Sequence, residues 1–373
     1  MTKGVKISIL HVIFLCMTVI GLKNHVTILP PILEVGHRDG WLSVLLGAVF
    51  IFPWLFLLAF ITKNMNGQPF IKIVQDKNGK VIALIIKFII IGEIFLLGAF
   101  TMIEMLQWVN TTFLPYTPIM ILFIIYFILC MTLAVQGLQT IVIANAIVLF
   151  IVVILGFFVA FANIRVKDYS LLHPMLENGM EPVLLATVFP LAGFVELIFL
   201  VFIQHHVKSG IRFKHFALML LLLVGLTLGP LIGAIVEFGP DEASKQRYPA
   251  YEEWGLVVIG EFVNHLDFFS IYQWMTGAFV RIGFYLFLVT EIFDMEKQPK
   301  KVWTYVAPPF AVVCLVLMLV DEQTYLFINN YHFLIFTCCL LLVLGVIFAL
   351  LIRRKKGSRQ EEIRNANEGD YIK

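Results

Sequence analysis

Ten stretches of this chain are long and apolar enough to cross a lipid bilayer, and no other feature restricts the fold as strongly. A spanning helix needs about 20 largely apolar residues, because the hydrocarbon core is about 30 Å thick and each residue rises about 1.5 Å. The candidates run roughly over 7–30, 41–62, 81–109, 116–135, 140–163, 184–204, 214–237, 269–293, 303–320 and 328–352. With 60% hydrophobic and only 14% charged residues, a water-soluble fold of 373 residues is excluded. The net charge of +2 gives no footprint for nucleic acid. All five Cys lie in apolar runs, which fits buried thiols and neither a disulfide framework nor a metal cluster. Lys3 and Lys6 precede the first run as in a signal peptide, but no small-residue cleavage site follows, so it reads as an uncleaved helix.

Lys and Arg fix the expected orientation. With the N-terminus inside, 19 of the 27 fall in inner segments and 5 in outer ones (Arg38, Arg165, Lys167, Lys245, Arg247), while Lys23, Lys87 and Arg281 lie within spans. That bias places both termini in the cytoplasm. Trp41, Trp108, Trp254 and Trp303 stand near span ends, where an indole suits the interface. Residues 1–352 then form one transmembrane domain with halves at about 7–163 and 184–352, followed by a basic tail, 353–373, suited to anionic lipid. The outer loop 238–268 is too polar to cross. Its part from Tyr251 to Leu266 reads as an interfacial helix with Trp254, Leu256, Ile259 and Phe262 toward lipid.

Two spans carry matching irregularities. In the first, Gly21 is followed by Lys23, Asn24 and His25; in the sixth, Pro190 and Gly193 are followed by Glu196. Gly and Pro each weaken helix continuity, and opened backbone is tolerated in a membrane only where it faces protein or a cavity. Gly21 and Gly193 are 172 residues apart, close to the 177 between the starts of their spans. Five helices is an odd number, so the second set enters from the opposite side. The expected fold is therefore all-α, with ten transmembrane helices in a five-plus-five inverted repeat and interrupted helices 1 and 6. One such break alone would more often be a kink; the pairing points to a midplane site. Free N–H groups there suit a carboxylate and carbonyl ends suit an ammonium, as in a zwitterionic amino acid. The expected contacts are the backbone of Gly21, Leu22, Lys23 and Asn24 and of Phe189, Pro190, Leu191, Ala192 and Gly193, with Thr101 and Trp274 as walls.

Glu93, Glu104, Glu196 and Arg281 lie within spans, where a charge costs about 2.5–3.5 kcal/mol and must face the bundle interior or water. Glu93 and Glu104, 11 residues apart, share a helix face at about 100° per residue. They are either internal ion pairs or carboxylates that titrate with occupancy. Lys23 and Glu104 both lie toward the outer side, and Arg281 and Glu196 at similar depth. His205 and His206, beside Lys208, read as a solvated span end and not as a metal site. No HExxH, GxSxG, Walker A or GxGxxG occurs, so no catalytic residue, cofactor or metal is expected.

Three stretches carry a resemblance over nearly the whole chain: ISILHVIFLCMTVIGLKNHVTILPPILEVGHRDGWLSVLLG (7–47), FPLAGFVELIFL (189–200), and RYPAYE through GEFVNHLDFFSIYQWMTGAFVRIGFYLF (247–287). They resemble the spore germination permeases, the membrane B subunits of nutrient germinant receptors in endospore-forming bacteria. That family belongs to the amino acid–polyamine–organocation superfamily, with its LeuT-like fold. Leu191 and Ala192 stand where small residues are usual, Arg281 where Lys is common, and Lys23-Asn24-His25 is unusually polar. The resemblance implies a receptor subunit in the spore inner membrane that senses a small nutrient, often an amino acid. It further implies a membrane A subunit and a lipoprotein C subunit as partners. A proton-coupled amino acid transporter, using Glu93 or Glu196, and a water or ion conduit are the alternatives.

Overall fold

In the computed structural model, which describes residues 6–259 and 266–353, every long element is a helix. Ten are long and apolar enough to span a bilayer: α1 Ile9–Thr27, α2 Leu29–Asn64, α3 Lys80–Thr112, α4 Ile119–Gln136, α5 Leu138–Arg165, α6 Glu181–His206, α7 Phe213–Phe238, α8 Phe268–Ile292, α9 Pro299–Met318 and α10 Glu322–Ile352. This agrees with the expected number. The tail beyond 353 and Phe262 lie outside the described residues.

Burial sorts the helices into a centre and a shell. In α6 and α8, 78% of the most apolar window is buried, against 22% in α5 and 28% in α9. Helix α8 packs on α1, α3, α4 and α5, while α6 packs on α2 and α10. Outward-facing residues of the shell, such as Phe88, Phe150, Phe157 and Leu221, are apolar. A surface like that is stable only against lipid. The protein is a multi-pass membrane protein.

The starts and ends have local causes. Ser8 caps α1, accepting the His11 amide at 3.3 Å. Pro30 and Pro31, which read as the end of span 1, instead occupy the first turn of α2, where the missing N–H groups cost nothing. A 3₁₀ turn at His37–Asp39, with His37 at φ +51°, then redirects that helix.

Longer departures from α geometry occur in α1 and α10, where Lys23–Thr27 and Ile328–Phe333 wind as π turns, and in α6, where Val195–His206 winds as 3₁₀. A twelve-residue 3₁₀ run is unusual, since such runs rarely exceed about four residues. Gly21, Pro190 and Gly193, where breaks were expected, keep α geometry, and the backbone changes its hydrogen-bond register just after them while remaining helical. The Ile28 amide bonds the Lys23 carbonyl at 3.2 Å, a five-residue step.

The outer loop differs from the anticipated amphipathic helix. Over its described residues it forms short turns at Pro240–Ala243, Pro249–Glu252 and Glu253–Leu256, and 260–265 of the anticipated helix lie outside the described residues. Trp254 turns inward, 1% exposed, and its indole N–H donates to Gln273 Oε1 at 2.9 Å. A buried indole needs an acceptor, and Gln273 on α8 supplies it. Trp108 is likewise buried, whereas Trp303 is exposed.

Candidate functional site

The polar centre of the protein is built where α1, α6 and α8 meet. Glu196 is fully buried. Its Oε1 accepts from Lys23 Nζ at 2.9 Å and Arg281 Nη2 at 3.1 Å, and its Oε2 from Arg281 Nη1 at 2.9 Å and Tyr285 Oη at 2.6 Å. One carboxylate thus holds two cations from different helices, with a forked contact to the guanidinium. Lys23 Nζ also donates to the Ala192 carbonyl at 3.1 Å, and Arg281 donates Nε–H to Thr101 Oγ1 at 3.0 Å and Nη1–H to the Val19 carbonyl. Such burial is tolerable only with the remaining donors satisfied, and these carbonyls and hydroxyls do that.

The π turn explains how α1 contributes two consecutive side chains to α6. Lys23 reaches Ala192 and Glu196, while Asn24 lies flat on Gly193. A Cβ added at Gly193 would stand 1.8 Å from Asn24 Oδ1, so only glycine fits. Asn24 Nδ2 donates to Thr227 Oγ1 on α7 at 3.3 Å, and its Oδ1 is buried without a partner.

The remaining anticipated contacts distribute around this centre. Gly21 faces Leu226 on α7, and Leu22 packs on Gly277 of α8. Pro190 fits against Gly47 of α2, Phe189 meets Tyr331 edge-on at 6.1 Å, and Leu191 is half-buried at the packing margin. Lys23 pairs with Glu196 and not with Glu104. Glu93 and Glu104 are both buried on α3 but reach different helices: Thr337 Oγ1 of α10 donates to Glu93 at 2.6 Å, and Thr27 Oγ1 of α1 to Glu104 at 3.0 Å. Neither makes an ion pair among the described residues.

Trp274 sits toward one end of the bundle in an aromatic layer with Trp108, Tyr248 and Tyr251, at centroid distances of 4.8, 4.5 and 4.9 Å. Above it Arg247 ties the loop to α3 through Gln107 Oε1 at 3.2 Å and to α10 through Glu322. Tyr285 and Thr227 escaped the sequence analysis, and Arg247 entered it only as an outer-segment charge and the start of the 247–287 stretch. Only Tyr285 carried a signal, lying one helical turn after Arg281 and hence on its face. At the opposite end His205 and His206 are only 12% and 17% exposed and both contact Glu291. They are not a solvated terminus.

This polar centre is a buried array of ion pairs and hydrogen bonds; it holds no nucleophile with a positioned base among the described residues. Residues 6–326 match the spore germination protein family. Over 312 residues the chain is 37% identical to spore germination protein XB of Bacillus anthracis, covering 83% of this chain and 87% of that one. Over 251 residues it is 24% identical to spore germination protein A2 of Bacillus subtilis (strain 168), 66% of this chain and 68% of that one.

Proposed function

Since this chain belongs to the spore germination protein family, whose members are receptor or permease proteins and not enzymes, we propose that it is the membrane subunit of a nutrient germinant receptor. It would lie in the spore inner membrane with both termini on the core side. It binds a small nutrient, by its chemistry a zwitterionic amino acid, near the bilayer midplane and signals germination. The partners are a membrane A subunit and a lipoprotein C subunit. The fold is the five-plus-five inverted repeat, with α1 and α6 as the related, interrupted pair.

One observation carries this reading: the Lys23 ammonium rests on the Ala192 carbonyl and on Glu196, where a nutrient ammonium would sit. A zwitterion entering there gives its ammonium to Ala192 and Glu196 and its carboxylate to Lys23 and Arg281. Lys23 then leaves α6, and the contact between α1 and α6 changes. Signalling needs only that the nutrient favours one of these arrangements over the other. The aromatic layer around Trp274 and the Arg247 strap close the path from the outer side.

The transporter reading has its own support. Glu93 Oε2 is buried without a partner, and three carboxyls share the interior with two cations. A buried carboxyl without an ion-pair partner is the kind of group that proton coupling would use. Proteoliposomes containing the full chain separate the two. Saturable binding of an amino acid without accumulation under a pH gradient is the receptor's result; gradient-driven accumulation overturns it in favour of transport.

A further inference from the structure

We propose that His205, His206 and Glu291, with Glu296 in reach, form a site for a zinc-class divalent metal ion that clamps the end of α6 to the end of α8. This inference is independent of the nutrient site. His205 Nε2 lies 2.7 Å from Glu291 Oε1, and His206 Nε2 lies 3.0 Å from Glu291 Oε2 and 3.6 Å from Glu296 Oε1. Each of His205, His206 and Glu291 offers a ligand atom, and these atoms lie within 4.8 Å of one another.

The convergence of two adjacent imidazoles on one carboxylate is unusual geometry. Neighbouring residues on a continuing α-helix diverge by about 100°. Here the two rings lie side by side, with centroids 4.0 Å apart, because the 3₁₀ run ends at His206 and Val207 is extended. An ordinary ion pair would need only one of them. The backbone is pinned at the same place: the Ile7 amide bonds the His206 carbonyl at 2.9 Å.

Donor type and spacing set the metal. Two imidazoles with a carboxylate are a zinc set, and such a set disfavours magnesium and calcium, which take oxygen ligands. Bonds of about 2.0–2.2 Å at tetrahedral angles put ligand atoms about 3.3–3.6 Å apart. The His206–Glu296 separation of 3.6 Å already meets that spacing, the two shorter contacts need to spread by about half an ångström, and separations of up to 4.8 Å within the set need to close by about 1 Å. A cavity of about 190 Å³, lined by Glu291, Asp294, Lys72, Lys87 and Gln75, reaches the site at Glu291. His205 Nδ1 is buried without a partner. Metal-bound histidines usually donate from the other ring nitrogen, so its lack of an acceptor points to an affinity about 10–100-fold below that of a fully supported site, and not to a permanently filled one. A reversible clamp on α6 follows.

Cobalt titration of the full-length protein in detergent, purified without a polyhistidine tag, tests this. One equivalent of Co²⁺ should give visible absorption of four-coordinate intensity, displaced by Zn²⁺ and unaffected by Mg²⁺ or Ca²⁺. His206→Gln and Glu291→Gln should abolish the band. Glu296→Gln, at a partly exposed position that folding does not depend on, should weaken binding tenfold or more. A wild-type protein without the band, or a band that survives Glu296→Gln and His206→Gln unchanged, overturns the proposal.

Discussion

Replacing Gly193 by Ala tests the packing of α1 on α6 most severely. The new Cβ would stand 1.8 Å from Asn24 Oδ1, 2.7 Å from its Cγ and 2.9 Å from its Nδ2. Ordinary contact distances are about 3.5 Å, so the Asn24 amide must withdraw by about 1.5 Å. Its 3.3 Å bond to Thr227 then breaks inside a buried site. Overpacking costs about 1–3 kcal/mol and a lost buried hydrogen bond about 1–2 more, giving about 2–5 kcal/mol in all. Asn24→Ala removes all three clashing atoms. Alone it should cost about 1 kcal/mol, because Thr227 keeps its bond to the Leu223 carbonyl at 2.7 Å. The double variant should therefore match Asn24→Ala alone, a coupling equal to the full Gly193→Ala cost of about 2–5 kcal/mol, of the kind that touching residues show. Unfolding in mixed micelles, followed by tryptophan fluorescence, measures each corner of the cycle. A Gly193→Ala cost below about 1 kcal/mol, or additive single variants, refutes the contact.

Glu196→Gln leaves Lys23 and Arg281 buried without their carboxylate and should cost about 3–5 kcal/mol in the same assay, with Arg281→Met recovering part of it; full stability of the single variant would contradict the ion-pair centre. Asp321 caps the first turn of α10, and the Thr324 amide at 3.0 Å, helped by the Thr324 hydroxyl, holds its carboxyl below the usual range. A depressed folded value means its stabilisation is complete above the ordinary carboxylate range and lost as pH falls. The melting-temperature gap between wild type and Asp321→Ala should thus be present at pH 7 and shrink as pH falls below the ordinary carboxylate range. A gap independent of pH would contradict the cap. Trp254→Phe strands Gln273 Oε1 and should cost about 1–3 kcal/mol; an unchanged melting temperature would place that indole in lipid.

The spans were legible because a bilayer demands long apolar runs, and the two irregular regions because polar residues at membrane depth are conspicuous, although Gly21, Pro190 and Gly193 themselves keep α geometry beside the π turn and the 3₁₀ run. Partner choice was not. Lys23 and Glu104 share a depth along the sequence, yet rotation of the π turn aims Lys23 at Glu196, a matter of helix azimuth that no spacing rule fixes. Pro30 and Pro31 signal a helix boundary equally well as a stop or a start. Trp254 has the composition of an interface anchor, and only the acceptor on Gln273, nineteen residues on, turns it inward. His205 and His206 resemble a solvated end until α8 brings Glu291 against both, a contact made across the bundle.

The central claim is that a nutrient zwitterion exchanges ion pairs with Lys23, Glu196 and Arg281. Thermal unfolding of the purified full chain against a panel of amino acids and simple sugars tests it directly, because a ligand bound only by the folded state raises its apparent stability with occupancy. The expected result is a concentration-dependent shift with one or two amino acids, absent with the sugars and lost in Lys23→Met. A shift that persists undiminished in Lys23→Met, or one produced by a sugar and by no amino acid, would contradict the account.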